Sequence, residues 1–297
     1  DSLRNKIMPL ADDVIVYPAH GAGSACGKNM MKETVDTLGN QKRMNYALRA
    51  DMTREEFIKE VTEGLAPPPL YFPMNVKMNR EGYTAFDEVI SRGITPLDPK
   101  TFERIANETG AIVLDVRNQV EFIDGHIPRS IFIGLDGGFA PWVGALLADV
   151  GQKILLVVSP GREEEAVTRL SRVGFDRTLG YLLGGIDAWK EAGKEIDTLE
   201  SIAAETFKEK LESNINVFDV RNDGEYSNGR LSSAEHTPLA FLNQYLKAFP
   251  EKEKSYLYCA GGYRSVIAAS ILKSRGIHNV VNVAGGFAKK NAGIPVS

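Results

Sequence analysis

Val113-Leu114-Asp115-Val116-Arg117-Asn118, followed by Glu121, Phe122 and Gly125, returns later as Val217-Phe218-Asp219-Val220-Arg221-Asn222, followed by Glu225, Tyr226 and Gly229. The offset is constant, as from Asp115 to Asp219. A second match lies downstream in the same order. Leu183-Gly184-Gly185 with Ala192-Gly193 pairs with Ala284-Gly285-Gly286 with Ala292-Gly293. The chain therefore holds two copies of one unit of about 100 residues, not a short-period solenoid.

Each copy reads as alternating strand and helix. In the first, Asp98-Pro99 caps a helix that carries Thr101, Phe102, Ile105 and Ala106. Strands are expected at Ile112–Leu114, Ile131–Ile133, Ile154–Val158 and Thr178–Leu183, with a helix over Arg162–Arg172. The second copy repeats the order: helix near Ala203–Leu211, strands Val217–Val220 and Tyr256–Tyr258, helix Arg264–Ser274, strand Val280–Val283. Strands that alternate with helices predict an α/β fold, its parallel sheets covered on both faces.

The boundaries follow from composition. Ala66-Pro67-Pro68-Pro69-Leu70-Tyr71-Phe72-Pro73 reads as an extended strap, since its prolines exclude a helix. It would pack on its own protein through Leu70, Tyr71 and Phe72, or serve as a proline-rich ligand. The expected domains are 1–65, a proline-rich linker 66–90, a first repeat 91–196 and a second repeat 197–297. The 297 residues suit about two domains by length alone. Hydrophobic residues at 43% and charged residues at 25% exclude a disordered or collagen-like chain. A net charge of -4 gives no reason to expect nucleic acid or an anionic membrane as partner. No apolar run approaches the roughly 18 residues of a membrane span. With only 2 cysteines, Cys26 and Cys259, there is no disulfide framework, and a reducing cytoplasm is the expected compartment. The chain opens on Asp1, enters the apolar run Val14-Ile15-Val16-Tyr17 almost at once, and so reads as beginning inside a domain.

Chemistry concentrates at Cys259-Ala260-Gly261-Gly262-Tyr263-Arg264-Ser265, between a strand and an amphipathic helix. A strand-to-helix turn leaves backbone N–H groups unpaired, and the helix dipole adds positive potential. Both favour the thiolate, the form that attacks. Gly261 and Gly262 let the loop curl so that several N–H groups converge. Arg264 is suited to an anionic substrate. The bland alternative is a buried structural cysteine.

The Asp219-Val220-Arg221 strand end, the Cys259–Arg264 loop and the closing Gly285-Gly286 resemble a rhodanese, a sulfurtransferase domain. The first repeat resembles a second such domain. The resemblance implies that the Cys259 thiolate takes the sulfane sulfur of thiosulfate, glutathione persulfide or coenzyme A persulfide. It would then pass that sulfur to sulfite, cyanide or a thiol. Ala260 to Ser265 would bind the substrate, Arg264 holding the anionic donor, while Asp219 and Arg221 brace the loop. The second copy departs at Lys289-Lys290, where the first has Trp189.

Cysteine phosphatases are the runner-up for a Cys–loop–Arg. They place five residues between Cys and Arg and a histidine before the cysteine. Here there are four, and Tyr258 precedes Cys259. In the first repeat, aligning strand ends puts Ser159 opposite Cys259, in Ser159-Pro160-Gly161-Arg162-Glu163-Glu164-Glu165. A serine cannot carry a persulfide, and the acidic run would repel an anionic donor. That copy is expected to be inactive scaffold.

The N-terminal piece runs from a strand into Pro18-Ala19-His20-Gly21, and Lys28–Gly64 reads as helical. The glycines match the dinucleotide fingerprint incompletely. This stretch resembles the C-terminal end of the metallo-β-lactamase fold. Members of that fold fused to two rhodanese domains are persulfide dioxygenases, which oxidise persulfide with one non-haem iron during sulfide oxidation. The whole chain resembles the C-terminal part of such a fusion. Its fold class would be two tandem rhodanese-like domains with parallel sheets, preceded by a metallo-β-lactamase (αββα) remnant. The His-x-His-x-Asp-His cluster of that family is absent from this sequence. The only histidines are His20, His126, His236 and His278. No metal ligand and no cofactor are expected in this chain, and iron only with an N-terminal half. His20 would be a hydrogen-bonding residue rather than a ligand, and Cys26 either packed or sulfur-carrying. His126 and His236 read as structural, and His278 as a surface residue. Hydrolase chemistry in that N-terminal half, or a module at Cys259 that senses sulfur without turnover, are the alternatives. Apolar surface on residues 1–65 makes a homo-oligomer plausible.

Overall fold

The computed structural model describes residues 1–19, 34–63, 71–147 and 149–287. His20, Cys26, most of the proline run and Lys289-Lys290 lie outside the described residues. The chain divides into two compact units, Asp1–Pro68 and Pro69–Ser297.

In the first unit, β1 (Ile15–Val16) pairs antiparallel with β2 (Asp36–Thr37), followed by α1 (Leu38–Met44) and α2 (Arg54–Thr62). Thr53 and Glu56 close a capping box on α2. Leu38 and Leu48 are buried, whereas Ile15, Tyr17, Met44 and Ile58 are exposed.

The second unit opens with α3 (Phe72–Glu81) and α4 (Phe86–Gly93). This corrects the extended strap at its C-terminal end. Pro73 falls in the first turn of α3, where its missing N–H costs no helical bond. The stretch read as linker also supplies α4, which buries Val89 against the first repeat.

The first repeat then runs β3 (Pro96–Leu97), α5 (Pro99–Thr109), β4 (Ile112–Asp115), α6 (Gln119–Asp124), β5 (Ile131–Phe132), α7 (Phe139–Leu146), β6 (Ile154–Val157), α8 (Glu163–Ser171), β7 (Thr178–Leu182) and α9 (Gly185–Glu191). The second runs β8 (Glu200–Ile202), α10 (Ala204–Lys210), β9 (Asn216–Asp219), α11 (Asp223–Ser227), β10 (Ala234–His236), β11 (Ser255–Tyr258), α12 (Tyr263–Ser274) and β12 (Val280–Val283). Both sheets are five-stranded and parallel, ordered β3-β7-β6-β4-β5 and β8-β12-β11-β9-β10.

Alternate strand residues face opposite layers. Leu155 and Val157 face an outer core with Phe102 and Trp189. Tyr256 and Tyr258 face the matching outer core with Phe207. Ile154, Leu156, Leu257 and the α12 residues Val266 to Leu272 build one core shared by both repeats. Phe132 N–H donates to Ser270 Oγ at 3.0 Å across that shared core. Each repeat is thus half of a joint hydrophobic interior.

The repeated motif is explained by its contacts. Asp115 and Arg117 form a buried two-pronged ion pair, and Arg117 also donates to the Gly125 carbonyl. Asp219, Arg221 and Gly229 repeat it. Asn118 with Glu121, and Asn222 with Glu225, close capping boxes on α6 and α11.

Candidate active site

Cys259 follows β11 directly and is 1% exposed. Gly262 sits at the head of α12 with a left-handed φ of 93°, which glycine adopts without a Cβ penalty. That turn aims the Gly262 N–H at Cys259 Sγ, 3.1 Å away. Ser265 Oγ lies 3.6 Å from the same sulfur. Behind it a polar chain runs from the interior to the surface: Ser265 Oγ donates to Asn282 Oδ1 at 2.7 Å, and Asn282 Nδ2 donates to the exposed Ser201 Oγ at 2.9 Å. A Cβ on Gly286 would stand 2.1 Å from the Cys259 carbonyl. The closing glycine pair therefore packs on the back of the cysteine loop.

The other loop residues are placed differently from one another. Ala260 is half-buried and Gly261 exposed. The Tyr263 side chain was expected among the substrate-binding groups. Its hydroxyl instead donates to the Gly134 carbonyl of the first repeat at 2.9 Å, and its ring meets Phe132 edge-on. Burial pushes the Tyr263 phenol up to about 12, so it remains a donor at neutral pH. Arg264 was expected to hold an anionic donor. Its guanidinium is engaged at both prongs by Glu225, at 2.6 and 2.7 Å. Glu225 is first among the causes that hold Arg264 above its ordinary pKa, with burial opposing and nearby Cys259 adding to it. Arg264 in turn holds the Glu225 carboxyl below its usual range. Sequence reading noted Glu225 only as a landmark of the repeat.

Asp219 and Arg221 lie one layer back. Tyr258 donates to Asp219 Oδ2 at 2.7 Å, and the Arg221 guanidinium lies 3.8 Å from the Phe287 ring centre. Burial, with Asp219 next, pushes the Tyr258 phenol far up. Phe287 N–H donates to the Cys259 carbonyl at 2.6 Å. The Asp219–Arg221 pair thus reaches the cysteine through Tyr258 and Phe287.

The first repeat is corrected by strand register. Asp115 is opposite Val157, as Asp219 is opposite Tyr258. The residue equivalent to Cys259 is therefore Val158, 3% exposed, and not Ser159. No hydroxyl stands at the position equivalent to Cys259. The Gly161 N–H is taken by Glu163 Oε1 at 3.1 Å, and Arg162 is paired with Asp136 and Glu165. The turn is filled by its own acidic side chains.

The remaining histidines are accounted for by contacts. His126 is buried, bonded through Nδ1 to the Phe122 carbonyl and stacked on Phe122. His236 bonds the Arg221 carbonyl and stacks on Tyr226. His278 is exposed. Among the described residues no three of His, Cys, Asp or Glu come together as a metal-ligand set. No described helix is long and apolar enough to cross a membrane.

Two parallel sheets of one order, with a cysteine at a strand-to-helix turn in the second, define a tandem α/β fold. The family profile described as "Rhodanese-like domain" matches residues 98–192 and 203–292, and the chain belongs to that family. It is similar to "Putative sulfur carrier protein YrkF" of Bacillus subtilis, 29% identical over 100 residues, covering 33% of this chain and 54% of the relative. The chain thus spans about half of that relative's length. It is also similar to "Putative sulfurtransferase YtwF" of the same organism, 30% identical over 92 residues, covering 30% of this chain and 87% of the relative. A metallo-β-lactamase structure from Staphylococcus aureus is 28% identical, with a TM-score of 0.47 over 60% of this chain and 47% of that one.

Proposed function

We propose that this chain is a sulfurtransferase whose second repeat carries sulfane sulfur as a Cys259 persulfide. The observation that carries the reading is the Gly262 N–H aimed at Cys259 Sγ at the head of α12. A backbone donor and a helix N-terminus at one sulfur suit the anion of a thiolate and then of a persulfide. Family membership and the sulfurtransferase name of a relative support the same role.

The step balances without an external oxidant. The Cys259 thiolate attacks the outer sulfur of a donor R–S–SH. The new S–S bond forms as the donor S–S bond breaks, and its electron pair leaves with RS⁻. With thiosulfate the leaving group is sulfite. An acceptor nucleophile, sulfite, cyanide or a thiol, then attacks the outer sulfur and restores the Cys259 thiolate. Ala260 to Gly262 shape the loop, Ser265 faces the sulfur, and Asp219 with Arg221 brace it from behind.

The domain limits that go with this reading are 91–196 for the inactive repeat and 197–297 for the active one, in a cytoplasmic protein. Residues 1–65 are read as the end of a metallo-β-lactamase-like domain, placing the chain in a persulfide dioxygenase fusion that serves sulfide oxidation.

Intact mass and turnover test the proposal. Wild type incubated with thiosulfate or glutathione persulfide should gain one sulfur atom, lost again with cyanide or sulfite, and Cys259→Ser should gain none. An adduct that forms and never transfers would mark a sulfur sensor. Absence of both adduct and turnover would overturn the proposal.

A further inference from the structure

Within the rhodanese reading, on which this inference rests, the charge beside the sulfur is the unexpected feature. The one arginine of the cysteine loop is already paired. Both prongs of Arg264 meet both oxygens of Glu225, a geometry that saturates the guanidinium's outer edge. The pair is partly buried, at 18% and 30% side-chain exposure, beside a thiol 1% exposed. Glu225 is held in place independently, because it closes the capping box of α11 on the Asn222 N–H.

We propose that Glu225 is a specificity-determining residue: by neutralising Arg264 it turns the site against dianionic sulfur donors and toward persulfides. Thiosulfate brings two negative charges next to the reacting sulfur. To use Arg264 it must displace a carboxylate already bonded there, or else approach that carboxylate. A persulfide R–S–SH brings at most one charge at the reacting sulfur, which the Gly262 N–H can meet. Glu225 acts through Arg264, so it is a positioning residue.

Glu225→Gln tests this cleanly, since glutamine keeps the capping-box acceptor and removes the charge. Donor selectivity, kcat/KM for thiosulfate over that for glutathione persulfide, is the readout. We expect the ratio to rise about tenfold or more in Glu225→Gln, mostly through a lower thiosulfate KM. In Glu225→Gln/Arg264→Gln the gain should vanish, because no guanidinium is released. A gain that persists in the double variant would overturn the role of Arg264. An unchanged ratio, with persulfide turnover intact, would overturn the proposal itself. Wild type inert toward both donors would overturn the sulfurtransferase reading beneath it.

Discussion

The Tyr263 hydroxyl donates to the Gly134 carbonyl at 2.9 Å, so the cysteine loop of one repeat is anchored on the backbone of the other. Gly137 completes the seat: a Cβ there would lie 2.3 Å from the Tyr263 ring. Tyr263→Phe should cost about 1 kcal/mol, the net value of a lost hydrogen bond. Gly137→Ala should cost roughly 1–3 kcal/mol by overpacking and should displace the loop. Denaturant unfolding ranks the two. Sulfur transfer should fall in Gly137→Ala, although residue 137 belongs to the repeat without a thiol. Wild-type turnover in that variant would mean the first repeat does not position the loop.

The chain Ser265–Asn282–Ser201 gives a second test. Asn282 is 2% exposed and Ser265 fully buried. Ser265→Ala leaves Asn282 Oδ1 without its donor, a loss of roughly 1–3 kcal/mol. Asn282→Ala removes one acceptor from the Ser265 hydroxyl, which keeps the Gly262 carbonyl at 3.2 Å, while the exposed Ser201 meets solvent. Because the three groups share one network, the double variant should cost less than the two losses combined. Additive losses in urea titrations would show that the groups act separately.

The parts of this fold that could be read in advance were those with local causes. Ile154-Leu155-Leu156-Val157 is buried on both faces of the sheet, and such strands write themselves as apolar runs. Asp98-Pro99 capped α5 as its residue types required. The edge strands β3 and β8 escaped notice: two and three residues long, they carry Pro96 and Glu200, and edges tolerate proline and charge. Strand β10 escaped because Ala234-Glu235-His236 shows no apolar pattern. At the site, Cys259 and its glycines were legible because a strand-to-helix turn is a local event. The Glu225–Arg264 pair and the seating of Tyr263 on Gly134 join residues distant in sequence. The equivalence of Val158 and Cys259 rests on strand register, and counting along the chain displaced it by one residue.

His126 links the repeats to pH. Burial, the largest influence, lowers its pKa from 6.5 to about 4. Asp197, at 3.8 Å from Nε2, raises it, while Lys273 and Arg117 lower it. Above 6.5 the ring is neutral folded and unfolded. Between 6.5 and about 4 only the unfolded chain takes the proton, so stability should fall with pH by up to about 1.4 kcal/mol per unit. His126→Gln should flatten that part of the profile. A ring titrating near 6.5 by NMR in the folded protein would contradict it.

The buried Asp–Arg pairs separate stability from chemistry. Arg117→Ala and Arg221→Ala each strand a buried carboxylate, Asp115 or Asp219, and each should cost roughly 3–5 kcal/mol. Lysine should rescue neither fully, since one ammonium cannot reproduce the two-pronged bond together with the carbonyl contact to Gly125 or Gly229. Their effects on transfer should diverge. Arg117 serves a repeat in which Val158 stands at the position of Cys259, and the folded fraction of Arg117→Ala should keep its turnover. Arg221 supports Phe287, whose N–H bonds the Cys259 carbonyl, and Asp219, which holds Tyr258 at 2.7 Å. Arg221→Ala should therefore lose turnover per folded molecule as well as stability. Equal turnover per folded molecule in the two variants would show that the pair behind Cys259 carries only the fold.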